Sequence, residues 1–408
     1  MYHDIIVIGG GASGILTAII AKDRGLDVAI LEGTDRIGKK ILATGNGRCN
    51  ITNSKISDEN FHCSNNLFFK STINKFSNKD TLDFFYSLGL PTIELEDGKI
   101  YPLSLQASSV VDTLRMALNE REIPLYTNSK VKTIKTNGNI FSLITNSNET
   151  FSCKQVVLSC GGSSSPNTGS DGSGMHLAKS LGHNIITPVP GLVQLKLNHS
   201  RLKALSGIKF NGNCTAYVNN NPITSRYGEI LFTDYGISGP PILQISSLLS
   251  RHIHNKEDVC IEVDFMPDTN KSDLKTFFEN HWGMFNYRSV VDSLTGILNK
   301  KLIPIILKES GILDIHKPCL DLTWEEKSSF LSLLKNWRFE VYDTNSFKNS
   351  QVTCGGVNTK NVDPDTLESK LVPNLYFTGE ILDVDGMCGG FNLQWAWSSA
   401  YVVATSLK

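Results

Sequence analysis

The segment HDIIVIGGGASG, residues 3–14, leaves the chain few ways to begin folding. Ile5–Ile8 is short and uniformly apolar, which predicts a strand buried on both faces of a parallel sheet. Gly9-x-Gly11-x-x-Gly14 follows at once and opens ILTAIIAKDRG, a run of helical length that stops at Gly25. LDVAILE then predicts a second buried strand ending on Glu32, 18 residues after Gly14. Such a glycine triplet alone is weak evidence. Between a buried strand and a helix, with an acid closing the next strand, it is a dinucleotide-binding fingerprint. Gly9 permits the tight turn, Gly11 lets a pyrophosphate reach the backbone, and Gly14 lets helix and strand pack closely. The free amides of the helix N-terminus face the phosphates, while Glu32 accepts from the adenosine ribose hydroxyls and disfavours a 2′-phosphate.

Nicotinamide and flavin enzymes share this fingerprint, and residues 38–53, GKKILATGNGRCNITN, decide between them. FAD lies extended across its domain, so it needs further contacts after the second strand and near the C-terminus. The ribbon offers backbone amides at Gly45 and Gly47, cations at Lys39, Lys40 and Arg48, and amide side chains at Asn46 and Asn50. These suit a pyrophosphate and the polar edge of a flavin. The third set is YFTGEILDVDGMCGGFNLQWAW, residues 376–397. Glu380 can accept from ribityl hydroxyls, and Gly389-Gly390-Phe391-Asn392 opens a helix whose N-terminus, with about +0.5 charge, can face the flavin pyrimidine. Trp395 and Trp397 read as packing residues.

The remaining chain predicts an α/β fold with a discontinuous Rossmann-like FAD-binding domain. Helical spacing recurs in KDTLDFFYSLGL and ASSVVDTLRMALNERE, a hairpin turns around Asn137-Gly138, and QVVLSCGG is another buried strand. From about residue 188 the texture changes to short strands, LVQLKL, CTAYVN, EILFT and VCIEVDF, which predict an antiparallel β-barrel or sandwich. Residues 272–337 turn almost wholly helical, including VVDSLTGILNKKLIPIIL, and RFEVYD returns to the barrel. After residue 350 the first texture resumes. The expected divisions are 1–187 with 351–408 for the FAD-binding domain, 188–271 with 338–350 for the inserted barrel, and 272–337 for the nested helical module.

Composition narrows the function. Lys plus Arg number 39 against 40 for Asp plus Glu, so the net charge of -1 gives no general attraction to nucleic acid or anionic membrane. No apolar run approaches the ~18 residues of a membrane span. The N-terminus lacks a signal peptide's order, and nine cysteines without a C-x-x-C pair suit reduced thiols; both lead to the expectation of a cytoplasmic protein. Cys49 lacks the C-x4-C spacing of disulfide reductases, the next cysteine being Cys63, so it reads as a small residue packed beside the cofactor. Cys388 reads similarly. His252-x-His254 has metal-like spacing on a predicted strand but no further ligands, so no metal is expected. SSSPNTGSDGSG has the hydroxyls and glycines of a ligand loop. Tyr235 is the nearest candidate proton donor in the barrel, although no catalytic acid or base is assigned.

The ribbon and GEILDVDGMCGGFNLQWAWSS, together with SSSPNTGSDGSG and LFTDYGISGPPILQIS, resemble the three-domain bacterial FAD proteins, a YhiN-like family that includes aminoacetone oxidase and the bile-acid-pathway flavoprotein BaiN. The resemblance spans residues 4 to about 406. It implies that Gly9, Gly11, Ala12, Ser13, Gly14, Glu32, Lys40, Gly45, Gly47, Arg48, Cys49, Asn50, Val131, Gly161, Glu380, Gly390, Phe391, Asn392 and Leu393 lie along noncovalent FAD. CGGFNLQWAWSS resembles the bile-acid branch more than the oxidase branch. The expected function is an FAD-dependent oxidoreductase exchanging hydride between flavin N5 and a small organic substrate, with NADH or NADPH as transient donor. The alternatives are an oxygen-using amine oxidase, a noncatalytic FAD-binding redox sensor or partner-binding protein and, with less behind it, a tRNA-modifying flavoprotein. Nothing in the sequence fixes the oligomeric state.

Overall fold

A computed structural model of the protein describes residues 1–65 and 67–408. The chain forms two compact units, Met1–Pro190 with Phe347–Lys408, and Gly191–Ser346.

The first unit is built on a parallel sheet of five strands in the spatial order Leu375–Phe377, Gln155–Leu158, Ile5–Ile8, Val28–Leu31 and Leu125–Tyr126. Ile5–Ile8, Val28–Leu31 and Gln155–Leu158 are buried throughout, as expected of strands covered on both faces. Strand order reverses between Ile5–Ile8 and Gln155–Leu158. Such a switch opens a crevice at the carboxyl ends of the strands, and Gly9 and Ser159 leave the sheet there side by side, the Ser159 amide donating to Ile8 O at 2.9 Å. Helix Ala12–Asp23 and the closing helix Phe391–Ser406 are both rich in buried residues and contribute to one apolar core. Arg24 fastens the ends of these helices by donating to Ala404 O and, at 3.0 Å, to Leu407 O. The unit also holds small antiparallel sheets, among them Val131–Asn137, Ile140–Thr145 and Thr150–Cys153, and Thr52–Asn53, Lys99–Pro102 and Thr92–Glu94.

The second unit holds a closed antiparallel barrel in the order Leu195–Asn198, Gly236–Ser238, Asn221–Phe232, Lys209–Val218, Val259–Asp264 and Trp337–Thr344, with the last strand pairing to the first. Inward alternation places Cys214, Ala216, Val218, Ile261, Val263, Phe339 and Val341 in its core. Helices Lys271–Met284 and Trp324–Asn336 share that core through Leu274, Phe278, Trp282, Phe330 and Leu334.

Two local expectations need correction. His252 and His254 lie in the last turn of helix Pro240–His254 rather than on a strand. The helix buries Ile242, Ile245 and Leu249, an i, i+3, i+7 stripe masked in the sequence by the adjoining prolines and short strands. His252 Nδ1 lies 3.1 Å from Glu257 Oε2. The single helix expected over residues 290–307 is divided into Val290–Ser293 and Ile303–Glu309, because Pro304 suits only the start of a helix. No helix among the described residues is long and apolar enough to cross a membrane.

Candidate FAD site

The fingerprint glycines have three different surroundings. Gly9 has φ +109°, and a Cβ there would fall 2.5 Å from Ser159 O. A Cβ on Gly14 would collide with the Gly9 carbonyl oxygen, so strand and helix meet at backbone contact. At Gly11, by contrast, a Cβ would meet nothing within 4 Å. Gly11 caps helix Ala12–Asp23 with no side-chain hydrogen bond, and no acid occupies its first turn. The amides around Ala12 and Ser13 thus border open space at a positive helix end, which suits a pyrophosphate.

Buried Glu32 accepts from the amides of Gly10 and Thr34, each at 2.7 Å. These bonds fix its carboxylate and leave acceptor capacity for ribose hydroxyls. The loop 163–172 returns beside it, since a Cβ on Gly169 would lie 3.2 Å from Thr34 Cγ2 and 3.8 Å from Glu32 Oε1. Gly161, at φ +70°, packs against Ser170, and buried Val131 follows Lys130, whose stem lies beside Gly33. Lys130 also pairs with Asp171. These residues cluster around Glu32 and Thr34.

The irregularity of residues 44–50 is a backbone feature. Gly45, Asn46, Gly47 and Cys49 all have positive φ, between 54° and 81°, so successive peptide groups turn in ways a helix or strand forbids. Residues 45–48 are exposed, whereas Cys49 and Asn50 are buried beneath them. Arg48 has no ion-pair partner among the described residues. The result is a donor-rich surface on a fixed base.

That base is the closing helix. Asn53 Nδ2 donates to Gly389 O at 2.9 Å, Thr52 Oγ1 to Gln394 Oε1 at 2.5 Å, and Trp397 Nε1 to Ile51 O at 3.0 Å. Gly390, at φ +97°, must be glycine on two counts, for a Cβ would also fall 2.6 Å from Thr52 O. Phe391–Ser406 therefore begins with uncapped amides at Phe391, Asn392 and Leu393, again without an acid in its first turn. The Asn392 side chain is committed locally: it accepts from Gly386 N at 2.8 Å and donates to Gly386 O at 2.7 Å.

Lys40 Nζ donates to Glu380 Oε2 at 2.6 Å, which joins the second contact set to the third. Glu380 Oε1 accepts from Thr353 N at 2.9 Å, and Thr353 Oγ1 in turn accepts from the amides of Ser163 and Ser164. Ser13 completes the convergence, because a Cβ on Gly379 would lie 2.7 Å from its Oγ. Residues separated by more than 300 positions thus meet along one edge of the sheet. Gly10, Thr34, Gly162 and Thr353 belong to this edge and were not singled out in the sequence. Only Gly162 carried a signal, as the second glycine after strand Gln155–Leu158.

Burial pushes the Cys49 thiol up to about 12 and raises that of Cys63 as well. A thiol so protonated is a poor nucleophile at neutral pH. Cys49→Ser and Cys63→Ser are each expected to leave flavin reduction intact; a charge-transfer band that vanishes in Cys49→Ser would contradict this. In the second unit, the Tyr235 hydroxyl accepts from Asn345 Nδ2 at 3.3 Å.

The chain is 40% identical over 398 residues to a 3-dehydro-bile acid delta(4,6)-reductase of Clostridium scindens, with 97% of each chain covered. It is 30% identical over 407 residues to a ribosomal RNA dihydrouridine synthase of Escherichia coli, covering 99% of this chain and 98% of the relative. The protein of that name from Haemophilus influenzae is also 30% identical, over 413 residues, 100% of this chain and 99% of the relative. Residues 3–406 match the HI0933-like protein Rossmann domain, and the chain belongs to that family.

Proposed function

We propose that this flavin-dependent oxidoreductase reduces a carbon–carbon double bond conjugated to a carbonyl in a small organic substrate, with NADH or NADPH as the electron source. The observation that carries the reading is the meeting of residues 9–14, 40–50 and 379–393, fastened by Lys40–Glu380 and Asn53–Gly389. A nicotinamide alone needs only the first of these sets. FAD, when bound, supplies two-electron hydride chemistry at N5. The chain's part is to hold it: Glu32 at the adenosine ribose, the amides after Gly11 at the pyrophosphate, Glu380 with Lys40 at the ribityl chain, and the amides of Phe391–Leu393 at the pyrimidine. A positive helix end at the pyrimidine favours the anionic reduced form.

The substrate class is supported by the relatives' names. A delta(4,6)-reductase of a 3-dehydro compound and a dihydrouridine synthase both saturate a double bond conjugated to a carbonyl. The greater identity to the first, and a net charge of -1, favour a small molecule over RNA. An amine oxidase or a noncatalytic redox sensor would use the same cofactor contacts. The nine free thiols suit work in the cytoplasm.

No second G-x-G-x-x-G follows a buried strand, so donor and substrate are expected to use one cavity in turn, with ping-pong kinetics. Anaerobic mixing with NADH or NADPH should bleach the flavin, and an α,β-unsaturated ketone should restore its colour. Bleaching by a small amine and by neither nucleotide would establish the oxidase instead. A requirement for a ternary complex would refute the single cavity.

A further inference from the structure

Tyr101 lies in strand Lys99–Pro102, which is joined to the ribbon through the preceding residue, Ile100. Ile100 N donates to Asn50 Oδ1 at 3.2 Å and Ile51 N donates to Ile100 O at 2.8 Å. Ile100 and Pro102 turn into the core, which leaves Tyr101 partly buried on the other face. There its ring lies across the ribbon: a Cβ on Gly45 would be 3.2 Å from Tyr101 Cε1. The Tyr101 hydroxyl has no hydrogen-bond partner among the described residues. The neighbouring Asn50, Asn53 and Thr52 side chains are committed to other partners, which leaves this phenol beside the ribbon with an uncommitted hydroxyl.

We infer that Tyr101 is the proton donor of the double-bond reduction. The inference rests on the reading that the site reduces a conjugated double bond. In that reaction the substrate's β carbon gains a hydride with both electrons from the reduced cofactor, and the double bond becomes an enolate. The Tyr101 hydroxyl then gives its proton to the α carbon, forming the second new C–H bond, and the tyrosinate recovers a proton from water. Burial raises the Tyr101 hydroxyl's pKa above the ordinary phenol value, so it stays protonated at neutral pH. The charged and titratable groups acting on it are Lys99, Cys388, Arg48 and Cys49. Arg48 and Cys49 belong to the ribbon, and Cys388 adjoins the Gly389-Gly390 turn, which places the phenol between the two sets.

Tyr101→Phe keeps the ring against Gly45 and removes only the hydroxyl. The holoenzyme is reduced with dithionite under anaerobic conditions, which bypasses any nicotinamide, and reoxidised with 2-cyclohexenone or a 3-oxo-4-ene steroid. Reoxidation should slow by about 10²- to 10⁴-fold in Tyr101→Phe, the range of a lost general acid. FAD affinity and the rate of reduction by NADPH should stay within about threefold of wild type. In the FAD-free protein, ultraviolet titration of the variant should lack one late-ionising phenol. Wild-type reoxidation rates in Tyr101→Phe, or an unchanged phenol titration, would overturn the assignment. So would a loss confined to His62→Gln, which would move the donor to His62, 3.4 Å from buried Asp385. Failure of either probe to reoxidise the wild type would reject the proposed function and the inference with it.

Discussion

Gly14→Ala is expected to destabilise the FAD-free protein by about 1 to 3 kcal/mol, the scale of forced overpacking, and to abolish stoichiometric flavin binding. The added methyl would meet the Gly9 carbonyl oxygen, and Ser159 Cβ stands 3.2 Å away on another side. Neither is the free end of a flexible side chain. Helix Ala12–Asp23 must therefore move off the strand, carrying its amides away from the phosphate position. Gly11→Ala supplies the contrast. Its Cβ would enter open space, and φ of -85° suits alanine, so folding should be unaffected while the methyl occupies room needed by the ligand. Thermal melts of both variants without FAD, paired with flavin titrations, check this. Equal melting of Gly14→Ala and wild type would show that the backbone contact is looser than described.

Glu32→Ala should weaken FAD binding by about 1.5 to 3 kcal/mol, the scale for a charged hydrogen-bond partner, or roughly 10- to 150-fold in affinity. It should also lower stability without FAD, because the amides of Gly10 and Thr34 lose their acceptor in a buried setting. The two effects are separable. Glu32→Gln retains an acceptor oxygen for one amide, so it should recover part of the stability while remaining weak for FAD. Fluorescence quenching titrations give the affinity, and an unchanged value in Glu32→Ala would remove this residue from the ribose.

Much of this site could be read in the sequence because its signals are local. Gly9, Gly11 and Gly14 sit within six residues, and their spacing alone encodes a turn, an opening and a close packing. Glu32 was legible because a strand ends where its apolar run ends. The ribbon announced itself by composition, though not by its positive φ values at Asn46 and Cys49, which nothing short of the tertiary structure demands. Thr353 was invisible for a different reason. Its hydroxyl serves Ser163 and Ser164 across 190 and 189 positions, and a threonine inside a glycine-rich strand carries no mark of that duty. Helix Pro240–His254 was not legible although Ile242, Ile245 and Leu249 have helical spacing, because it follows directly on short strands and opens on two prolines. Tyr101 likewise alternates with buried neighbours as any half-buried strand residue does, and only the folded ribbon shows what its ring covers.

The central claim is that residues 9–14, 40–50 and 379–393 together hold one extended FAD. The direct measurement is release of the chromophore from purified protein by acid, followed by chromatographic identification and quantitation against protein. One noncovalent FAD per chain is the expected result. FMN in the supernatant, or no flavin retained after incubation with excess FAD, would contradict the claim, because neither outcome needs Glu32 and the amides after Gly11 in the same site as the closing helix.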